Sequence, residues 1–219
     1  MSSSPIVVHH LEYSRSLRIL WLLEELGLQY DIQQYKRDAN FRAQDDLKQI
    51  HPLGRAPVVE VDGHVLAESG AILDYFTERE GKLVPTDVDD KLQFRFFMHY
   101  AEGSAMPPLL VQLILNKLKD GPVPFFVKPI AKAIAEKIEA SYSGPAIELH
   151  FGFVDDTLGK TPYFAGDEFS AADIQMFYAV EGALSRGAGA WKHIEAWRDR
   201  VTARAAYKAA EAKGGTALP

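Results

Sequence analysis

The chain has 219 residues, 47% of them hydrophobic and 25% charged, a composition typical of a folded globular protein with one large or two small cores. Its formal net charge of −6 argues against binding to a phosphate backbone, so no nucleic acid partner is expected. The absence of cysteine excludes disulfides, thiolate zinc sites and cysteine nucleophiles. Any thiol chemistry must therefore use a thiol supplied by a ligand.

Membrane and metal sites are not expected either. No apolar run approaches the roughly 20 residues that span a bilayer, and residues 1–5 are too few and too polar for a signal peptide, which predicts a cytoplasmic protein without a transmembrane segment. The seven histidines lack metal-binding spacing, and His9 and His10, adjacent on a predicted strand, point to opposite faces. We therefore predict no metal site.

The N-terminal part predicts the order β-α-β-α-β-β-α. Strands are expected at 5–11, 30–35, 56–61 and 64–67, and helices from Ser14 or Ser16 to Leu26, at 45–50 and at 69–80. Gly27 and Gly81 fit the helix ends, and Asp62-Gly63 is a strong signal for a hairpin turn.

Residues beyond 82 predict a linker followed only by helices. The stretch 82–90 contains a proline and three aspartates without a periodic pattern, which is typical of a linker between domains. Helices are expected at 91–106, 111–119, 125–144, 145–159, 170–185 and 194–212. Ser170 and Asp173 are spaced as a capping box that would begin one of these helices, a structural rather than a catalytic role.

Three segments place polar groups where a sheet flanked by helices usually binds anions. The first is Tyr13-Ser14-Arg15-Ser16, whose serines either contact a ligand or simply cap the helix. The second is 51–57, where Pro57 suits either a cis bond or an ordinary trans start to a strand. The third is Glu68-Ser69, where Ser69 is a natural N-cap that could also hold a carboxylate.

The ordered set of motifs resembles one family over essentially the whole chain. The motifs are S-x-S before the first helix, PLGRAPVVEVDG, LAESGAILDYF and GDEFSAADI. They are similar to glutathione transferases, and nearest to a serine-type bacterial and fungal branch that includes a membrane-associated yeast member. The resemblance implies a thioredoxin-like α/β domain at 1–82, a linker at 83–90 and an all-α domain at 91–219.

The resemblance also implies a glutathione site. By the family pattern, the backbone of Ala56 beside cis-Pro57 would pair with the cysteinyl part of glutathione, and Glu68 with Ser69 would hold the γ-glutamyl end. The glycine carboxylate would face Arg42 and Arg55, since arginine offers a fixed charge and a planar pair of donors. Glutathione would be the co-substrate, with no metal.

For catalysis, the family pattern implies that Ser14 donates a hydrogen bond to the glutathione thiolate, with Tyr13 as the alternative and Ser16 as the helix cap. Many tyrosine-type members carry their tyrosine earlier on the first strand, where this chain has His9 and His10. The thiolate would attack a small hydrophobic electrophile or a hydroperoxide.

The helical domain is expected to form the electrophile pocket and to support a homodimer. Tyr100, Met106 and Leu110 are candidates for lining the cleft, although apolar residues at helical spacing are more often core. Glu102 is a candidate for the amino group of glutathione. The alternatives are a non-catalytic glutathione-binding regulator and a glutathione-dependent disulfide reductase.

Overall fold

The computed structural model describes residues 5–43, 45–122, 124–185 and 189–219. The N-terminal part contains strands β1 to β4, which are Ile6–Leu11, Tyr30–Tyr35, Val58–Val61 and His64–Ala67. Three helices, α1 to α3, are Leu17–Leu26, Leu47–Ile50 and Ser69–Glu80. The predicted order of strands and helices is confirmed in this part.

The four strands form one sheet in the order β2-β1-β3-β4. Strand β1 runs parallel to β2 and antiparallel to β3, and β3 pairs antiparallel with β4. The hairpin between β3 and β4 turns at Asp62 and Gly63, both with positive φ (50° and 79°), as a type I′ turn requires. This sheet brings the end of β1 close to the start of β3.

Helix α1 is buried along almost its whole length between the sheet and the helical domain. Its residues Leu17 to Leu23 are all buried, and all of them except Arg18 are apolar, which is typical of a helix packed on every side. It ends at Gly27, which has a left-handed conformation (φ 70°) and donates its N–H to the carbonyls of Glu24 and Leu23.

The helical domain begins with one long helical rod. Helix α4, Val88–Tyr100, continues through a wider π-helical turn, Ala101–Ala105, into α5, Met106–Asp120. The predicted break after residue 106 is wrong, because the prolines after Met106 fall in the first turn of α5, where a missing N–H costs little. Helix α4 also begins inside the stretch predicted as a linker, capped by the side chain of Asp87.

A second rod packs against the first. It consists of α6, Lys128–Ile138, a π-helical turn, Glu139–Ser143, and α7, Gly144–Leu158. Helix α8, Ala171–Leu184, follows. The predicted helix 194–212 is divided into α9, Lys192–Thr202, and α10, Ala205–Gly214, because Arg204 between them adopts an extended conformation.

The capping box at the start of α8 is present. Ser170 N donates to Asp173 Oδ2 at 2.9 Å, and the Ser170 side chain caps the first turn in return. Asp173 is fully buried and its Oδ1 also accepts from Trp197 Nε1 at 2.8 Å, which joins α8 to α9. None of the helices in the described ranges is long and apolar enough to cross a membrane.

The confirmed fold class is thus a thioredoxin-like α/β domain followed by an all-α domain. Trp21 of α1 joins the two cores, since its ring lies within 5.5 Å of the rings of Phe169, Phe177 and Tyr207 from the helical domain. A hydrogen bond from Ala171 N to Leu83 O fixes the segment between the domains.

Candidate functional site

A cleft of about 250 Å³ lies between the sheet and the helical domain. It collects predicted site residues from two segments that are separated in sequence: Arg55, Ala56, Pro57, Glu68 and Ser69. The peptide bond between Ala56 and Pro57 is cis. Glu102 of the helical domain lines the same cleft. The fold therefore assembles most of the predicted binding residues in one place.

The start of α3 has an unusual backbone. Glu68 has φ 73° and ψ 120°, a conformation that costs energy for any residue except glycine and that is concentrated at functional sites. Glu68 occupies the N-cap position, so Ser69 is the first residue of the helix and the predicted N-cap role of Ser69 is wrong. The Ser69 hydroxyl instead accepts a hydrogen bond from Arg18 Nη1 at 2.9 Å, which leaves the first amides of α3 without a side-chain cap.

A buried arginine connects the two sides of the cleft. The Arg18 side chain is 2% exposed, and its Nη1 donates to Glu102 Oε1 at 2.6 Å as well as to Ser69. Burial lowers the pKa of Arg18 to about 10, although Glu102 partly offsets that effect. Burial alone would raise the pKa of Glu102, but Arg18 and Arg15 outweigh it and hold that pKa below its usual value. Glu102 is therefore an anion in the cleft.

The turn between β1 and α1 carries the predicted catalytic residues. Ser14 is 6% exposed, and its Oγ donates to Leu11 O at 2.7 Å. Ser16 stands at the N-cap position of α1, but its side chain makes no capping bond. Its Oγ accepts a hydrogen bond from Leu11 N instead, so the prediction that the Ser16 side chain caps the helix is wrong. Arg15, between the two serines, lines the cleft, whereas neither Tyr13 nor Ser14 does.

Tyr13 is held in a left-handed conformation, with φ 50°. Its ring stacks on Phe41 at 6.1 Å between centroids, and its carbonyl accepts from Arg37 Nη2 at 2.7 Å. Arg37 also donates to Glu12 O at 3.0 Å. Arg37 therefore holds the backbone of the turn at Glu12 and Tyr13.

The two arginines predicted for the glycine carboxylate are placed differently. Arg55 lines the main cleft, whereas Arg42 lines a neighbouring cleft of about 460 Å³, to which Arg55 also contributes. Both side chains are exposed, and in the described part of the chain no carboxylate forms an ion pair with either of them. Arg55 is therefore the better placed of the two for a ligand in the main cleft.

The residues predicted for an electrophile pocket are spread along the first rod. The Tyr100 hydroxyl is 2.6 Å from His150 Nδ1 and thus faces α7. Met106 packs against the core, and Leu110 is 54% exposed. A larger cleft, of about 610 Å³, lies between α3 and α4 and is lined by none of the predicted site residues.

Two family models match the chain: the glutathione S-transferase N-terminal domain over residues 3–78 and the C-terminal domain over residues 117–205. The chain belongs to the glutathione S-transferase family. It is 38% identical to Glutathione S-transferase 1 of Saccharomyces cerevisiae, covering 97% of both chains. It is 34% identical to Glutathione S-transferase 3 of Schizosaccharomyces pombe, covering 95% of this chain and 87% of the relative.

A solved glutathione S-transferase from Actinobacillus pleuropneumoniae has the same architecture. It superposes with a TM-score of 0.77 at 25% identity, over 97% of this chain and 94% of the other. The expected fold and the identification as a glutathione transferase are confirmed. Glutathione is accordingly the co-substrate of this transferase.

Sequence reasoning missed three arginines that organise the cleft and the β1–α1 turn. Arg18 had a recognisable signal, because a charged residue inside the apolar run of α1 implies a buried and paired charge. Arg15 and Arg37 had none, since a basic residue in a polar turn usually faces solvent. Their partners Glu102 and Glu12 are fixed only by tertiary structure.

Proposed function

We propose that this transferase binds glutathione in the cleft between β3, α3 and Glu102 and activates its thiol at the β1–α1 turn. One observation carries the proposal: the cleft unites the cis peptide at Pro57, the uncapped start of α3 and the cation Arg55 within about 250 Å³. Glutathione has an extended backbone, carboxylates at both ends and one ammonium group. Each of these groups has a complementary partner in the cleft.

The γ-glutamyl end fits the start of α3. Its carboxylate would accept from the free amides at Ser69, where the helix dipole also favours an anion. Its ammonium group would lie against Glu68 and Glu102. The backbone of Ala56 would pair with the cysteinyl residue, and the glycine carboxylate would meet Arg55, with Arg42 as a more distant cation.

The thiol then lies toward the β1–α1 turn. A free thiol with a pKa of about 8.5 is only a few per cent ionised at neutral pH, so a shift of roughly two units is enough to make the thiolate dominant. Ser14 would supply a hydrogen bond, and the N-terminus of α1 would add its dipole. The thiolate would attack an electrophilic carbon or a hydroperoxide oxygen beside Met106 and Leu110.

We further propose a homodimer in the cytoplasm, where the glutathione pool is kept reduced. An apolar patch on α4 and α7 supports self-association: Leu92, Phe96, Leu149 and Phe153 are 58%, 44%, 72% and 43% exposed, respectively. Such a patch is typical of an interface. Light scattering at micromolar concentration should give twice the chain mass, and a monomer would contradict the dimer.

Calorimetry with glutathione, combined with the ultraviolet absorbance of the bound thiolate across pH, tests the function. The proposal expects binding with a thiol pKa about two units below the free value. Binding without that shift would indicate a carrier, and no binding at millimolar glutathione would contradict the proposed site.

A further inference from the structure

A chain of hydrogen bonds runs from the predicted catalytic turn to the end of α10. Ser14 Oγ lies 2.7 Å from Ser16 Oγ, which lies 2.9 Å from His10 Nδ1. His10 Nε2 lies 2.8 Å from Gly214 O. Ser14, Ser16 and His10 are 6%, 0% and 3% exposed. The proposed function above gives Ser16 and His10 no part in the chemistry.

The partners of His10 fix where its hydrogen lies. A carbonyl oxygen can only accept, so Nε2 carries the hydrogen that points to Gly214. Burial lowers the pKa of His10, against the opposing effects of the bond to Gly214 and the charge of Glu12, so the imidazole is neutral near pH 7. Nδ1 is then an acceptor, and the Ser16 hydroxyl donates its hydrogen to it.

The surroundings of His10 contain little charge. Glu12 lies farther along β1 and is the charged group that acts on its pKa. On β2, Gln34 pairs with His10 in register, and its side chain donates to Lys213 O on α10. The Lys213 ammonium group binds Glu24 of α1. In the described part of the chain, no charged side chain forms a hydrogen bond or ion pair with the imidazole.

We propose that His10 takes up the thiol proton of bound glutathione through a relay formed by Ser14 and Ser16. This rests on the proposed function, in which the thiol lies against Ser14. The S–H bond breaks and its proton passes to Ser14 Oγ. The Ser14 hydroxyl hydrogen turns from Leu11 O to Ser16 Oγ and passes to it, and that of Ser16 passes to His10 Nδ1. Each serine keeps one hydrogen, the sulfur becomes negative and the imidazole becomes positive.

The transfer reverses every hydrogen bond in the relay. Afterwards Nδ1–H donates to Ser16, Ser16 donates to Ser14, and Ser14 donates to the thiolate, so the hydroxyl stabilises the negative charge that it helped to create. The imidazolium balances that charge from a buried position, where the attraction between the two is screened little. His10 does not touch the substrate and is therefore a positioning residue that acts through the serines.

The test counts the protons released when glutathione binds to the wild-type enzyme at pH 7. Calorimetry in buffers with different ionisation enthalpies gives the number of protons released on binding. The same measurement with S-methylglutathione, which has no thiol proton, is subtracted, and the difference is the number of protons released by the thiol. Thiolate absorbance is recorded on the same samples. The relay predicts thiolate absorbance with a difference close to zero, whereas loss of the proton to solvent gives about one proton for each thiolate formed.

The outcomes separate the two proposals. Thiolate absorbance with release of about one thiol proton would overturn the relay and leave the proposed function standing. Bound glutathione without thiolate absorbance would overturn both.

Three variants sharpen the measurement. His10→Asn keeps an acceptor near Ser16 but cannot hold a proton, so each thiolate formed should release about one proton. Ser16→Ala interrupts the relay while keeping the imidazole, and it should give the same result even if His10→Asn folds poorly.

His9→Asn is the matched control, because His9 faces Tyr35 and Glu60 instead, and it should keep the wild-type count of released protons. Wild-type counts in Ser16→Ala would contradict the relay.

Discussion

Buried polar side chains serve different purposes in the two domains. In the thioredoxin-like domain, Ser14, Ser16 and Ser69 are buried beside the cleft, and each bonds to a group that also contacts the site or its turn. In the helical domain, Asp173 is buried in the capping box and bonds only to the protein scaffold. Substitutions in the first group should therefore change chemistry more than stability, and substitution of Asp173 should do the reverse.

The largest expected effect is on stability. Asp173→Ala removes the acceptor of two backbone amides, at Phe164 and Ser170, and of the Trp197 indole. Leaving such donors buried and unpaired should lower the free energy of unfolding by about 3–5 kcal/mol. Urea unfolding followed by tryptophan fluorescence measures the change.

Asp167 provides the control for this substitution, because it lies in the preceding loop and is exposed. Asp167→Ala should change the free energy of unfolding by less than about 0.5 kcal/mol. Equal losses in the two variants would show that the capping box does not organise the helical domain.

The next effect is on glutathione affinity and compares the two arginines near the cleft. Arg55→Ala should weaken binding about tenfold or more, since a charge-assisted hydrogen bond contributes about 1.5–3 kcal/mol. Arg42→Ala should weaken it less than about threefold, because Arg42 lines only the neighbouring cleft. Calorimetry measures the glutathione affinity of both variants. A larger loss of affinity in Arg42→Ala than in Arg55→Ala would place the glycine carboxylate in the neighbouring cleft.

The smallest effect is a change in the pH dependence of stability. The folded-state pKa of Glu102 is held down by Arg18 and Arg15, so its ionised form contributes stability above about pH 4.5 that is lost as pH falls further. The contribution should stay below about 1 kcal/mol, because the Glu102 side chain is 35% exposed. Glu102→Gln should flatten the acid limb of the stability profile, and an unchanged profile would contradict the pairing.

The two domains also differ in how much of their structure could be predicted. In the thioredoxin-like domain, β2, β4 and α3 lie where the sequence predicts them, because Gly27, Asp62-Gly63 and Gly81 mark their ends with local turn chemistry. In the helical domain, the prolines near 107 and 145 suggest that one helix ends and another begins. The structure instead has a π-helical turn before each proline, and the helix continues through it. A π-helical turn depends on tertiary packing and leaves no local pattern to read.

The site shows the same division. The segments around Pro57 and Ser69 could be assigned to the site from sequence, because both belong to the ordered set of motifs that resembles the family. The roles of the Ser16 hydroxyl and of Arg18 could not be predicted, because their partners lie on other elements. The Ser16 hydroxyl bonds to His10 on β1, and Arg18 bonds to Ser69 and Glu102. Hydrogen-bond partners that are distant in sequence have to be seen in the folded protein.

The central claim is that Ser14 activates the glutathione thiol. Titration of the bound thiol by its ultraviolet absorbance in Ser14→Ala and Tyr13→Phe tests it most directly. We expect Ser14→Ala to raise the thiol pKa by about one unit, equivalent to about 1.4 kcal/mol, because the dipole of α1 remains, and Tyr13→Phe to leave it near the wild-type value. A raised pKa in Tyr13→Phe alone would contradict this account and assign thiol activation to the tyrosine.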